Sequence, residues 1–192
     1  MLKSILFVFA LYLAPQTTPV KVVALGDSIT RCFNVDCWTD YVSKNSRYKV
    51  INKGIGGETL KQMNKRLSRD VIAHKPEIAI IMGGTNDVFY RDYDPIDSMT
   101  EIHDMVAKLK ANGIHPIIGM PLPLTNKRME ERLEKLRVLI IKARYPIIYF
   151  ESDFKNEKDL KALLPDGVHP NKKGKIIMGQ RAIVNLNSFW GE

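Results

Sequence analysis

Cysteine is almost absent from this chain: Cys32 and Cys37 are the only two in 192 residues. Two thiols cannot make a four-ligand zinc site, and their spacing in RCFNVDCW is not that of a C-x-x-C redox pair. A local disulfide across this loop is open if the chain is exported. In a reducing cytosol both thiols stay free, and a turn that sequence does not display decides whether they meet. Long Gly/Ser or Pro tracts, low-complexity blocks and internal repeats are also missing. With 45% apolar residues, that leaves a chain able to bury one substantial core, and a single domain over residues 20–192 is expected. No stretch interleaves aromatic with basic residues in the manner of a single-strand nucleic-acid groove, so no nucleic-acid partner is expected.

The longest apolar run is itself too short to span a bilayer, which takes ~20 residues. It follows Lys3 as SILFVFALYLA and has the size of a signal-peptide core. Its cleavage end is irregular, because a cut after Ala14 leaves Tyr12 three positions before it and Pro15 just after. Residues 1–19 therefore predict a leader for secretion, or one retained as a membrane anchor. The alternative is a cytoplasmic protein whose leader packs on the domain. Acidic residues are outnumbered, 21 against 29 basic, for a net charge of +8. The basic residues are scattered as KQMNKR, KRMEERLEKLR and NKKGK, which reads as a solvated surface with a positive bias. An anionic partner such as a membrane surface is the alternative.

What is present in quantity is alternation of strand-like and helix-like segments. Apolar runs at Val20 to Leu25, Tyr48 to Asn52, Ile78 to Met82, His115 to Met120 and Ile147 to Phe150 read as strands covered on both faces. Between them, LKQMNKRLSRDVIA places Leu60, Met63, Leu67, Val71 and Ile72 on one helical face. Helices are likewise predicted over SMTEIHDMVAKLKANG, over Arg128 to Ala143, and from Lys172 into the 180s, with Gly113 suited to the position after a helix end. Strands and helices in alternation imply a parallel sheet with helices on both faces.

In such a sheet, ligands bind outside the carboxyl ends of the strands. The segments falling there are GDS, NKGIGGET, GGTND, PLPLTNK and a longer connection ending in DGVHPN. A serine hydroxyl needs a base, usually a histidine itself oriented by a carboxylate. Of four histidines, His74, His103 and His115 sit at a helix end, within a helix and at a strand start. His169 lies in a loop with Asp166 three residues earlier, a spacing that can fold the carboxylate under the imidazole. Ser28 is the candidate nucleophile, with the Ser28 and Gly57 N–H groups and the Asn86 amide as candidate oxyanion donors. Asp27 reads as a turn or helix-capping residue, and Asp87 as a support beside Asn86. Phe89, Tyr90 and Tyr93 could wall an acyl or sugar pocket, or merely pack.

The four blocks GDSIT, NKGIGGET, GGTND and DGVHPN occur in the order found in the SGNH hydrolases, also called GDSL esterases and lipases, and the chain past the leader resembles that superfamily. The glycine block has two adjacent glycines, and Gly57 is chosen because Asn52, Ile55, Gly57 and Thr59 fit the family's N-x-x-I-x-G-x-T. The resemblance implies an α/β, flavodoxin-like three-layer α/β/α sandwich with five parallel strands. It implies Ser28 as nucleophile, His169 as base, Asp166 as its partner, Ser28, Gly57 and Asn86 as oxyanion donors, and no cofactor or metal. The expected substrates are carboxylic esters, from short acyl or acetyl esters on glycans to lysophospholipid-type lipids. No long apolar lid is visible, which leans toward small acyl groups. The competing class is a non-catalytic carbohydrate- or nucleotide-binding domain of the same fold. Against it stand the missing third glycine of G-x-G-x-x-G and the absence of a G-x-x-x-x-G-K-[ST] loop. The absence of G-x-S-x-G also removes the nucleophile-elbow form of α/β-hydrolase.

Overall fold

Residues 18–32, 36–155 and 160–190 are described by the computed structural model of the chain. The leader up to residue 17 lies outside them. Strand β1 (Val20–Gly26) is buried at every position but Lys21, as its unbroken apolar run predicts. It is central, with β2 (Tyr48–Gly54) on one side and β3 (Ile78–Met82) on the other, followed by β4 (His115–Gly119) and β5 (Ile147–Ile148). All pairings are parallel; Val22 aligns with Val50 of β2 and with Ile78 of β3. The resulting order, β2-β1-β3-β4-β5, is that of flavodoxin-like folds, and the reversal of direction at β1 opens a crevice between the ends of β1 and β3.

The pleat divides the core in two. Val23, Leu25, Ala79, Ile81 and Ile118 meet side chains of α3 (Leu60–Lys65), α4 (Leu67–Asp70), α5 (Pro95–Ala111) and α6 (Lys127–Lys142). Val22, Ala24, Ile78, Ile80, Met82 and Ile117 face the other way. They meet α1 (Ser28–Arg31), α2 (Trp38–Asn45), α7 (Phe150–Lys155), α8 (Leu160–Leu163) and α9 (Lys172–Trp190). This is the expected three-layer sandwich. Among the described residues, no helix is long and apolar enough to cross a membrane.

Local signals explain most boundaries. Thr59 caps α3 in a reciprocal box with Gln62, whose Oε1 accepts the Thr59 N–H at 2.9 Å. Asn126 caps α6 through the Met129 N–H at 3.1 Å. Gly113, after α5, has φ +70°, the left-handed conformation that ends helices. Three expectations need correction. The single helix expected over LKQMNKRLSRDVIA is broken: α3 and α4 are separated at Arg66, and Ile72–His74 form a 3-10 turn. At the break, Arg66 turns inward to bind backbone oxygens of β1 and β2. The fifth strand stops at Ile148, because Phe150 opens α7 and is fully buried against Trp38, ring centroids 5.2 Å apart. The long connection before DGVHPN, which shows no helical signal of its own in the sequence, carries α7 and α8.

Candidate active site

Ser28 is the first residue of α1, directly after β1, so a buried strand delivers its hydroxyl to the rim of the sheet. The turn is too tight for side chains around it. A Cβ on Gly26 would lie 2.2 Å from Thr30 Oγ1 and 2.9 Å from Met82 O, and one on Gly54 only 2.1 Å from the Arg31 backbone nitrogen. Asn52 reinforces this packing: its amide donates to Thr30 O at 2.6 Å and Thr39 Oγ1 at 3.0 Å, while its oxygen accepts the Gly54 N–H at 2.9 Å. Cys32 and Cys37 are joined in a disulfide, Cα atoms 5.5 Å apart, linking the end of α1 to the start of α2.

The DGVHPN loop brings His169 to Ser28 across 141 positions of sequence: Ser28 Oγ and His169 Nε2 are 2.7 Å apart. On the far side of the ring, Nδ1 lies 2.6 Å from Asp166 Oδ2. The other carboxylate oxygen accepts the N–H groups of Val168 at 2.9 Å and His169 at 2.7 Å. Its partial burial alone would raise the Asp166 pKa, but these hydrogen bonds outweigh it and hold the group at about 2. A carboxylate ionised at neutral pH can only accept. Nδ1 therefore carries the proton, leaving Nε2 to accept from the serine hydroxyl. The loop is held from below: Thr125 N–H donates to Gly167 O at 3.1 Å, and Gly167 has φ +83° with a Cβ position 2.1 Å from Thr125 Oγ1. His169 and Asp166 side chains are 41% and 56% exposed, so the chain of bonds opens to solvent rather than lying in a sealed cavity.

Across the crevice, Asn86 follows β3 and donates from Nδ2 to Glu58 O at 3.0 Å, with Asp27 Oδ2 at 3.4 Å from the same nitrogen. Gly57 sits in the turn after β2 with φ +80° and nothing within 4 Å of its Cβ position. The three expected oxyanion donors thus lie on the loops following β1, β2 and β3. Asp27 caps α1, accepting the Ile29 N–H at 2.9 Å, as expected of it. Asp87 supports the next layer through the Leu60 N–H at 3.2 Å and the Ser98 hydroxyl at 3.1 Å, and burial raises its pKa. Beside it an open cleft of about 590 Å³ runs between the starts of α3 and α5, lined by Gln62, Asp87, Tyr90, Asp92, Tyr93 and Asp97 among others. Tyr90 and Tyr93 therefore border a cavity. Tyr93 is also packed under Arg132, whose guanidinium lies 4.8 Å from its ring centroid, while Phe89 is exposed and does not line the cleft.

KQMNKR reads from sequence as a basic surface, and nothing in it marks Arg66 as buried. Its guanidinium is buried and binds Gly26 O at 3.0 Å, Lys53 O at 2.9 Å, Glu58 Oε2 at 2.6 Å and Asp70 Oδ2 at 3.0 Å. It thereby clamps the ends of β1 and β2 to the residue whose carbonyl holds Asn86. Arg137 is a second inward basic residue, 1% exposed, bonded to Pro121 O at 3.1 Å and Leu122 O at 2.9 Å, where it fixes the loop after β4. Only its neighbours Glu130 and Glu134, both paired with it, offered a signal.

A doubly wound sheet with a serine, a histidine and a carboxylate hydrogen-bonded in series at its carboxyl rim defines a class of hydrolase-like folds. The chain belongs to the GDSL-like lipase/acylhydrolase family, whose model matches residues 24–175. It is 47% identical over 102 residues to an acetylxylan esterase of Geobacillus stearothermophilus, covering 43% of this chain and 46% of that protein. It is 30% identical over 119 residues to the uncharacterized lipoprotein YqeF of Bacillus subtilis, covering 54% of this chain and 49% of that protein. The chain spans about half the length of the curated relatives it matches. Among solved structures, a G-D-S-L family protein from Desulfitobacterium hafniense superposes with a TM-score of 0.77 at 28% identity, over 87% of this chain and 99% of that one. A catalytic mutant of an acetylxylan esterase from Geobacillus stearothermophilus shares the fold, with a TM-score of 0.73 at 22% identity over 88% and 94% of the two chains.

Proposed function

We propose that the chain is a serine ester hydrolase working through an acyl-enzyme. The observation that carries this reading is the unbroken series Ser28 Oγ, His169, Asp166, with contacts of 2.7 and 2.6 Å. His169 Nε2 takes the hydroxyl proton as Ser28 Oγ attacks the ester carbonyl. The Ser28 and Gly57 N–H groups and the Asn86 amide receive the oxyanion, and the imidazolium then returns its proton to the departing alkoxide. Water deacylates the serine with His169 again as base, and Asp166 stabilises the imidazolium in both halves. The mechanism needs no cofactor or metal.

Acetyl esters on neutral glycans fit the site best. The solvent-open rim suits a short acyl group on a bulky alcohol, and the neighbouring cleft offers carboxylates and two tyrosines to hydroxyl-rich rings. Its acidic lining opposes anionic headgroups. A 47% identical stretch in an acetylxylan esterase supports the same substrate class. The apolar leader and the charge of +8 favour a place outside the cytoplasm, near an anionic envelope surface. Turnover of p-nitrophenyl esters from acetate to longer acyl chains, with acetylated xylan alongside, tests the proposal. Fastest release of acetate, unaffected by chelator and abolished in Ser28→Ala, is the expected result. Equal rates for the variant would overturn the mechanism.

A further inference from the structure

Asp27 is 1% exposed and has two carboxyl oxygens with separate partners. Oδ1 caps α1 through the Ile29 N–H, and Oδ2 turns away from the helix to lie 3.4 Å from Asn86 Nδ2. A helix cap needs only the first of these. The second oxygen joins Glu58 O, 3.0 Å from the same nitrogen, so the Asn86 amide sits between two acceptors. A flipped amide would set its oxygen against both, so the pair selects the orientation that presents N–H groups.

From this geometry we infer that Asp27 is a positioning residue for the reaction proposed above: it keeps Nδ2 of Asn86 turned to the crevice, and the N–H on its long 3.4 Å contact passes to the oxyanion while Glu58 O keeps the other. The inference rests on that reading. It explains why a carboxylate, rather than the serine or threonine that would cap equally well, precedes the nucleophile. The titratable groups acting on Asp27 are the His169 imidazole from the loop before α9 and the Asp87 carboxylate after β3, while the Arg66 guanidinium is bound to the neighbouring Gly26 carbonyl. Burial, partly offset by the Ile29 N–H and by His169, raises the Asp27 pKa to about 7, so its ionisation changes the acceptor strength facing Asn86 near neutral pH.

Asp27→Ser separates the two roles, because serine can cap α1 but has no second oxygen for Asn86. The expected result is a kcat loss of about 10–10³-fold with KM changed by less than about threefold, the size of a lost oxyanion donor. Asn86→Ala should lose a similar factor, and the double variant should be no slower than Asn86→Ala alone. Activity of Asp27→Ser within about twofold of the parent, or losses that multiply in the double variant, would overturn the inference. Asp27→Asn, nearly isosteric, covers the case in which the serine variant does not fold. A readout independent of turnover is the side-chain amide resonance of Asn86 between pH 5.5 and 8.5. It should shift through an inflection near 7 that disappears in Asp27→Asn, and identical titrations in both proteins would equally reject the contact. If the unaltered protein lacks esterase activity while this resonance titrates, the hydrolase reading fails and the positioning contact survives.

Discussion

At the scale of single residues, the site depends on one proton held in the right place. Asp166 fixes the tautomer of His169 because it is ionised and accepts from the loop backbone as well as the ring. Asp166→Asn removes that preference, and kcat should fall by about 10³–10⁴-fold while the fold persists, as circular dichroism would verify. The two carboxyls also act oppositely on stability. Asp166, lowered to about 2, contributes stability that is complete above its unfolded value of 3.8 and fades as pH falls toward 2. Asp27, raised to about 7, keeps its proton when folded, so its effect on stability declines as pH rises from about 4 to about 7. Thermal melts of Asp27→Asn should therefore gain on the parent by several degrees between pH 5 and pH 8; a constant difference would contradict the burial argument. Ser28, His169 and Asp166 were legible in sequence because loop position and chemistry both pointed to them. The inward turn of Arg66 and the second contact of Asp27 were not, since both depend on which backbone atoms the fold brings opposite them.

At the scale of elements, α1 is four residues long and derives its position from its neighbours. Gly54 of β2 leaves no room for a methyl group beside the Arg31 backbone. Gly54→Ala should displace α1 and with it Ser28, lowering kcat by at least tenfold even in protein that remains folded, since small misplacements of a nucleophile are costly. Arg66→Met strands the Glu58 carboxylate and two strand-end carbonyls and leaves Asp70 to Arg69 alone, and should cost about 3–5 kcal/mol in denaturant melts. Any folded remainder should show weakened turnover, because the Glu58 carbonyl supports Asn86. Strands were legible from their apolar runs to within one or two residues, since burial on both faces leaves little ambiguity of type. Helix continuity was not: the periodicity of LKQMNKRLSRDVIA persists across the break at Arg66, and periodicity reports a buried face without reporting an interruption in it.

At the scale of the whole molecule, a five-stranded parallel sheet places the loops that carry the candidate site on one rim, while the disulfide ties two helices on one face of that sheet. A loop this short gives a chain-entropy contribution of about 2 kcal/mol. Reductant should accordingly lower Tm by several degrees, with activity at low temperature largely kept; an unchanged Tm would mean the bridge adds nothing to the fold. The architecture was legible because alternation of element types constrains topology strongly. Closure of the cysteine bridge was not, since it turns on the geometry between α1 and α2. The central claim is that residues 28 and 169 share a proton at the rim, which makes one hydroxyl among many nucleophilic. Its most direct test is treatment with diethyl p-nitrophenyl phosphate followed by intact-mass measurement and peptide mapping. The account predicts a single phosphoryl adduct on Ser28, formed with loss of activity and absent from His169→Ala. An adduct elsewhere, or none while ester turnover continues, would contradict it.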